Sequence, residues 1–457
     1  MIFFYQDRIA HLRPLFDAFS AEGHQLVLVG GAVRDAVMNL PDKDDFDFAT
    51  SALPEQTEAI LRHMRLAVYT VGARFGTIAA VWKAPNRERP SAVEITTFRV
   101  EETYAPDSRK PEVRFGTSLE ADLARRDLSM NAMAMDANGH IIDPWDGRRA
   151  IATGRLEVPG GGVQNTLGIL SDDPLRILRI ARFASRFGFP PTDETTQATR
   201  QSVHRLQAIS HERWKMEFDK LLVAPGASFG LRWLRDVGAL RVVWPELHAL
   251  PQDAFARLLA TLDCLPTDKG IRYAAAVAVC TMHEQGGGTL ELNTLHSALR
   301  HAQHLADVLC TRLKFSNEER AELRALVSFT YAPASVLQTW TSVDVRRRWQ
   351  VSLEHLTPQL ILTAALLQSF GGRAAHDVNE PVAALTRQIA AQREQENLVP
   401  TLPTGLGDAM MARGLRGKEI GLAMTRVREA ILDGELPNEA SIDEYIAWLF
   451  AASNNPT

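Results

Sequence analysis

The stretch that most constrains this chain is residues 25–49, which read QLVLVGGAVRDAVMNLPDKDDFDFA. The apolar, β-branched run at 26–29 predicts a strand, and the residues after the pair Gly30-Gly31 predict a short helix that closes before Pro41. Two glycines between a strand and a helix let the backbone approach a ligand, with the first N–H groups of the helix directed at it. This stretch therefore predicts a ligand-binding turn between strand and helix.

Two carboxylates follow this turn. Asp45 and Asp47 are separated by one residue in a segment that is expected to be extended, so their side chains point to the same side of the strand. Oxygen ligands of this kind suit Mg²⁺, which usually bridges carboxylates and substrate phosphates. A glycine pair is often only a turn, and an Asp-x-Asp pair is often a solvated strand edge. Their combination within 25 residues is far more specific than either feature alone.

The residues GGAVRD at 30–35, followed by DFDFATSALPE at 45–55, resemble motif A of the class II nucleotidyltransferases in the polymerase-β superfamily. That family contains the tRNA CCA-adding enzymes and the bacterial poly(A) polymerases. The resemblance implies an α+β fold, in which a polymerase-β-like nucleotidyltransferase head contains a small mixed sheet. It also implies catalytic, Mg²⁺-binding roles for Asp45 and Asp47. The residues of this motif that it implies for nucleotide binding are Gly30, Gly31 and Arg34.

Glu94 is the third candidate acid. It lies in the predicted strand VEITTFR at 93–99, which matches a family element whose glutamate is close to the two metal-binding carboxylates. A single glutamate on a strand is usually a solvated outward residue. The resemblance therefore carries the prediction that Glu94 is catalytic.

A second family motif follows at 125–132, where RRDLSMNA resembles motif B, RRDxxxNA. By itself an RRD sequence is more often a solvated charged helix. After motif A, a helix over 119–128 is expected to present one arginine of the pair Arg125-Arg126 to phosphate, with a carboxylate and an amide near a ribose. The nucleotide-binding candidates here are Arg126, Asp127 and Asn131.

An arginine-rich helix is predicted after residue 173. Asp173 before Pro174 reads as an N-cap followed by proline in the first turn. At about 100° per residue, the arginines of this helix lie opposite an apolar face. Most arginine-rich helices are simply solvated, but arginines without interleaved acids repel one another unless an anion lies against them. The arginines of this face are Arg176, Arg179, Arg182 and Arg186.

The segment DPLRILRIARF at 173–183 resembles the family pattern DPLRxLRxxRF. The resemblance implies that Asp173 and Arg176 pair with the Watson–Crick edge of C or A. A carboxylate accepts from an exocyclic amine, and a guanidinium donates to a ring nitrogen or carbonyl. It also implies that Arg179 and Arg182 bind the triphosphate. The family usually has Glu where this chain has Asp172.

Length and composition indicate a multidomain globular protein. A chain of 457 residues predicts two to four domains. It contains no run of 18 or more apolar residues, so no membrane span is predicted. The first residues show no signal-peptide cleavage pattern, and three widely spaced cysteines without a CxxC pair predict reduced thiols. A cytoplasmic location is therefore expected. With a net charge of −5, RNA must be bound by local basic surface.

Four domains are expected, and the three after the first are all helical. They are a catalytic head at 1–150, a neck for base recognition at 151–225, a body at 226–350 and a tail for tRNA binding at 351–457. Polar residues at 101–118 predict a loop of Y-x-D-x-R-x-P character, which the resemblance ties to switching from C to A addition. Candidate RNA contacts are residues 343–349 and the glycine-containing turn at 414–421.

The predicted function is template-independent addition of the 3′-terminal CCA to tRNA from CTP and ATP. Within the family, an enzyme that adds only the final A and a poly(A) polymerase remain alternatives. An RNA-binding protein with an inactive head is an alternative of another class, which the intact Asp45 and Asp47 oppose. Neither a membrane nor an obligate protein partner is expected.

Overall fold

The structure is a computed structural model, and two compact units make up the chain. One unit comprises residues 1–276 with 308–316, and the other comprises residues 277–307 with 317–457. The residues that the structure describes are 5, 9–41, 45–83, 90–103, 112–284, 295–327, 358–359, 361–363, 365–366, 402–432, 435–437 and 439–451.

The N-terminal part of the first unit contains all the strands of the described residues. Seven strands form one mixed sheet in the order β3-β4-β5-β2-β1-β8-β9, in which only the pair β2–β5 is parallel. The other two strands, β6 and β7, pair antiparallel as a separate ribbon. The bounds are β1 Leu26–Val29, β2 Asp45–Thr50, β3 Ala67–Tyr69, β4 Thr77–Trp82, β5 Ser91–Thr97, β6 Arg99–Thr103, β7 Glu112–Phe115, β8 Ala134–Met135 and β9 Ile141–Ile142.

The helices of this part pack on the sheet and connect its strands. Proline occupies the first turn of the helix that follows β2, where its missing N–H costs no hydrogen bond. The bounds are α1 Arg13–Ala21, α2 Gly31–Val37, α3 Pro54–His63, α4 Leu119–Ala124 and α5 Gly147–Thr153, with short 3₁₀ helices at Ala10–Leu12, Ala73–Phe75 and Ser129–Asn131.

The two faces of β2 have different environments. Phe46 and Phe48 are buried in the main apolar core, where the ring of Phe16 from α1 meets the ring of Phe48 edge-on at 5.6 Å. Asp45 and Asp47 point to the other face, as the alternation of a strand requires. This alternation places the acidic pair on the open side of the sheet.

Helices alone make up the rest of the first unit. The helix α7 packs against α9 and α10, and α6 packs against α8. The bounds are α6 Val163–Asp172, α7 Arg176–Phe187, α8 Asp193–Ser202, α9 His211–Leu222, α10 Ala227–Asp236, α11 Ala239–Val243, α12 Pro245–Ala249 and α13 Gln252–Cys264, with a 3₁₀ helix at Val203–Ala208.

Helices also account for the elements described beyond residue 264. They are α14 Lys269–Glu284, α15 Leu295–Arg312, α16 Asn317–Val327, α17 Leu406–Ala412, α18 Lys418–Leu432 and α19 Ile442–Ala451. The last three pack around a small apolar core that includes Tyr445 and Val427. In the part of the chain that the structure describes, no helix combines the length and apolar character that a membrane span requires. The predicted α+β head followed by helices is confirmed, whereas the four domain boundaries stay predictions.

Two local predictions were wrong. The segment 101–118 is not simply a loop, because β6 and β7 form a ribbon within it. The helix over 119–128 ends at Ala124, and Leu128 has extended backbone angles. Asp173 lies in extended backbone before α7, and its Oδ1 accepts from the backbone N–H of Leu175, as expected of a residue that caps a helix start. The loop residues Tyr104, Asp107, Arg109 and Pro111 and the RNA-contact candidates at 343–349 lie outside the described residues.

Close packing of α7 on α10 generates a stability prediction. A Cβ atom on Gly230 would lie 2.5 Å from the backbone oxygen of Ala181, whereas Gly168 in α6 has open space around it. We expect Gly230→Ala to lower the free energy of unfolding by about 1–3 kcal/mol, because the two helices must separate. Thermal or urea denaturation measures this change.

The matched control is Gly168→Ala, which should be neutral or stabilise the protein because alanine favours a helix interior. Equal stability of the two variants would contradict the close helix contact.

Candidate active site

A cavity of about 960 Å³ opens beside the sheet in the first unit. It is lined from the turn between β1 and α2, from β2, from the segment after α4, and from α7 and α9. Of the predicted site residues, only Glu94 is outside its lining. Those that line it are Gly30, Gly31, Arg34, Asp45, Asp47, Arg126, Asp127, Asn131, Asp173, Arg176, Arg179 and Arg182.

Gly30 brings the backbone close to two charged side chains. Its φ is +70°, and a Cβ atom built on it would lie 3.3 Å from Nη1 of Arg126 and 3.8 Å from Oδ2 of Asp47. Only glycine adopts this φ without strain. The residue therefore has both a conformational and a steric reason to be glycine.

Three carboxylates cluster on the open side of the sheet. Asp45 and Asp47 alternate along β2, and Glu94 on β5 is the register partner of Asp47 across the parallel pair. Desolvation in the cleft raises the pKa of Asp47 to about 6, and repulsion by Asp45 and Glu94 contributes, while Arg126 opposes it. The cluster thus has an excess of negative charge.

This excess fits a divalent cation. Among the described residues, no group of three or more His, Cys, Asp and Glu side chains is arranged to hold a metal ion. Two carboxylates and substrate phosphates are the usual ligands of Mg²⁺, so the pair Asp45 and Asp47 fits a cation that arrives with a nucleotide.

Arg34 is held entirely inside the protein. Its side chain is 3% exposed. Its Nη2 and Nε atoms lie 2.6 and 2.8 Å from Oδ1 of Asp35, and its Nη1 donates to Oδ1 of Asn131 at 2.7 Å. The guanidinium also lies within 5.3 Å of the ring centroids of Phe183 and Phe187. Arg34 therefore orients Asn131 and ties α2 to α7.

An ion pair between a buried carboxylate and a partly exposed arginine joins the segment after α4 to α7. Nη2 and Nε of Arg179 lie 2.6 and 2.8 Å from Oδ2 of Asp127, and Nδ2 of Asn131 donates to Oδ1 at 2.9 Å. Burial alone would raise the pKa of Asp127, but Arg179 and Asn131 hold it well below its ordinary value. Asp127 is therefore a permanent anion at the wall of the cavity.

The remaining arginines of α7 also face acids of the chain. Nε of Arg182 lies 3.1 Å from Oε2 of Glu217, and Nη2 of Arg186 lies 3.2 Å from Oδ2 of Asp35. The arginine face was expected to need an anion against it, because the helix has no interleaved acids of its own. Acids from α2, α9 and the segment after α4 converge on this face.

Asp173 and Arg176 lie at the start of α7. Nη2 of Arg213 donates to Oδ2 of Asp173 at 2.9 Å, and Nη1 of Arg176 donates to the backbone oxygen of Ile169 at 2.8 Å. Burial lowers the pKa of Arg176, which is 8% exposed, and Asp173 opposes this effect. Both side chains are therefore fixed at the cavity wall.

Comparison with known proteins links this geometry to a family. Residues 26–157 match the poly A polymerase head domain, and residues 188–250 match the probable RNA and SrmB-binding site of polymerase A. The chain is 29% identical to the CCA-adding enzyme of Anoxybacillus flavithermus (strain DSM 21510 / WK1) over 83% of this chain and 94% of that enzyme. The resemblance of this chain to the class II nucleotidyltransferases is thereby confirmed.

Other members of this family give a consistent result. The CCA-adding enzyme of Geobacillus stearothermophilus is 42% identical over 47% of this chain, an alignment that spans half of that enzyme's length. A crystal structure of Bacillus stearothermophilus CCA-adding enzyme in complex with CTP superposes with a TM-score of 0.66, at 27% identity and with 97% of each chain covered. The family and the fold that the sequence predicts are confirmed, and the chain is an enzyme of the nucleotidyltransferase class.

Sequence reasoning assigned no role to several residues in or beside this cavity. Asp35 and Glu217 balance arginines, Arg213 contacts Asp173, and Asp122 lies 3.2 Å from Nη2 of Arg126. The available signals were the last residue of GGAVRD at 30–35 and the family-like segment SHERWKMEF at 210–218, which by itself reads as a salt-bridged helix face. These contacts join residues far apart in the chain.

The raised pKa of Asp47 generates a pH prediction. Between the ordinary aspartate pKa of about 3.9 and about 6, the folded protein holds a proton that the unfolded chain has released. The free energy of unfolding therefore falls as the pH rises through this window. We expect Asp47→Asn to raise the unfolding temperature at pH 7.5, with the gain shrinking towards pH 4. Calorimetry of both proteins measures this, and an equal gain at both pH values would contradict the charge origin.

Proposed function

We propose that this chain adds the 3′-terminal CCA to tRNA from CTP and ATP without a nucleic-acid template. The observation that carries the proposal is that one cavity contains the acidic pair of β2, the arginines of α7 and the pair Asp173 and Arg176. Relatives named CCA-adding enzymes support it. The proposal includes tRNA as the partner and the cytoplasm as the location.

The acids on β2 serve the reacting phosphate. Asp45 and Asp47 would hold Mg²⁺, and Glu94 adds negative charge from the neighbouring strand. Metal ions bound there would supply activation of the tRNA 3′-hydroxyl and charge stabilisation of the triphosphate. Desolvation in the cleft, together with repulsion by Asp45 and Glu94, raises the pKa of Asp47. A bound cation would relieve this repulsion, which is the physical reason for the affinity. The excess negative charge also keeps the triphosphate from binding at this edge without cations.

The triphosphate and ribose lie between the acids and α7. Arg126, Arg179 and Arg182 donate to phosphate oxygens. Each of these arginines also contacts an acid of the chain, which keeps its guanidinium oriented before substrate arrives. Asp127 and Asn131 face the ribose hydroxyls. Arg34 acts through Asn131, because its guanidinium is committed to that amide and to Asp35.

Base choice follows from Asp173 and Arg176. C and A present an exocyclic amine where U and G present a carbonyl oxygen. A fixed carboxylate only accepts hydrogen bonds, so Asp173 favours the amine and rejects the carbonyl. Arg176 donates to a neighbouring acceptor on the base edge. A site built to hydrogen-bond an amine strongly rejects a base that has a carbonyl there, because the buried polar groups of the site would then be left without hydrogen bonds.

A contact with tRNA is proposed in the second unit. The turn predicted at 414–421 is present, with Gly414 and Gly417 at positive φ and α18 beginning at Lys418. The first N–H groups of α18 and the charge of Lys418 suit an RNA phosphate. This contact would bind tRNA without reading its sequence.

The first test is nucleotide incorporation at single-nucleotide resolution, with Mg²⁺, into three RNAs. These are tRNA lacking CCA, tRNA ending in CC and a non-tRNA oligomer, each with CTP and ATP separately and together. We expect three additions to the first tRNA and arrest after A. Addition only to the tRNA ending in CC would identify an A-adding enzyme. Long A tails on the oligomer would identify a poly(A) polymerase.

The role of the acids is tested separately with Asp45→Ala. Loss of a metal-binding carboxylate should lower incorporation by roughly 10²–10³-fold or more, as for other removed transition-state contacts. Binding of tRNA, measured by filter retention, should hardly change because the RNA contacts are elsewhere. The matched control is Asp17→Ala, which removes a 60% exposed carboxylate paired with Arg13 on α1 and should retain activity. Parallel loss of tRNA binding would contradict the metal role.

A further inference from the structure

Arg213 has no role in the function proposed above, yet it lines the cavity. It lies in the first turn of α9, and its side chain is 34% exposed. The helix that carries it is firmly anchored, because Trp214 and Phe218 are 3% and 1% exposed. The guanidinium therefore approaches the cavity from a fixed element.

Asp173 is held by two donors. Nη2 of Arg213 donates to Oδ2 at 2.9 Å, and the backbone N–H of Leu175 donates to Oδ1 at 3.2 Å. A carboxylate has about four acceptor positions on its two oxygens. Each oxygen thus keeps a free acceptor position, and the plane of the carboxylate is set by contacts from two different elements.

The same face of α9 also supports the arginines of α7. Glu217 lies one turn beyond Arg213, is 4% exposed, and contacts Arg182 at 3.1 Å and Arg179 at 3.9 Å. One helix face therefore presents a cation to Asp173 and an anion to the arginines of α7. The charges of α9 are therefore opposite to those they face, both at Asp173 and at the arginines of α7.

We propose that Arg213 is a positioning residue that determines base specificity by holding Asp173 as a fixed acceptor. The inference rests on the proposed function, in which Asp173 accepts from the amine of C or A. Without Arg213, the carboxylate turns about its side-chain bonds, and its acceptor positions no longer meet the amine in one fixed geometry. The discrimination between an amine and a carbonyl then falls, so U and G are incorporated more often.

The test measures kcat/KM for each of the four nucleoside triphosphates on tRNA lacking CCA and on tRNA ending in CC. In Arg213→Gln, we expect the UTP-to-CTP and GTP-to-ATP ratios to rise about tenfold or more, the size of one charge-assisted hydrogen bond. Arg213→Lys keeps a donor and the charge, and should restore part of the selectivity. The matched control is Arg200→Gln, an exposed arginine of α8, which should leave the ratios unchanged.

A purely structural role would lower kcat/KM equally for all four nucleotides, and unchanged ratios in Arg213→Gln would overturn the inference. If that variant does not fold, Arg213→Met replaces it, because it retains the aliphatic stem; failure of both to fold would also overturn the inference. The proposed function is judged independently, by the wild-type enzyme. Absence of CTP and ATP incorporation by the wild type would refute the function itself.

Discussion

The ion pair between the buried Asp127 and the partly exposed Arg179 is the contact on which the cavity depends. It joins two segments 52 residues apart, one beside the sheet and one on α7. Burying a charge costs more than the attraction of a partner returns unless hydrogen bonds complete the pair. Here Arg179 approaches Oδ2 with two nitrogens and Asn131 donates to Oδ1, so the cost is offset. With this pair in place, the arginines of α7 face the acids of β2 across one cavity.

The two sides of the cavity differ in charge, with an acidic side at β2 and a basic side at α7. At β2 the acidic cluster is desolvated in the cleft and its carboxylates repel one another, which together raise the pKa of Asp47. At α7 the arginines meet acids of other elements, which hold each guanidinium in position without fully neutralising the surface. A nucleotide whose phosphates carry bound cations is complementary to both sides of the cavity, because its cations face the acids of β2 and its phosphates face the arginines of α7. Preorganised charges of this kind need little rearrangement when substrate binds.

Much of this arrangement could be predicted from local patterns. The strand, glycine turn and helix at 26–37 and the extended segment at 45–50 formed as expected, because each depends on neighbours in the chain. The errors concern elements whose form depends on distant contacts. The helix expected over 119–128 ends at Ala124, since the residues after it turn inward to meet Arg34 and Arg179. Asp173, expected as a cap, accepts from the backbone N–H of Leu175 and also contacts Arg213, which no local pattern predicts.

The sequence by itself determined the acidic pair, the glycine turn and the arginine helix, because strand alternation and helix periodicity follow from backbone geometry. Tertiary structure alone decided which acids partner which arginines. Glu217, Asp35 and Arg213 come from helices whose own patterns read as ordinary charged faces. Their function depends on where α2 and α9 lie relative to α7, and that placement results from burying the apolar side chains of these helices. No local pattern encodes such distances, so only the folded chain reveals them.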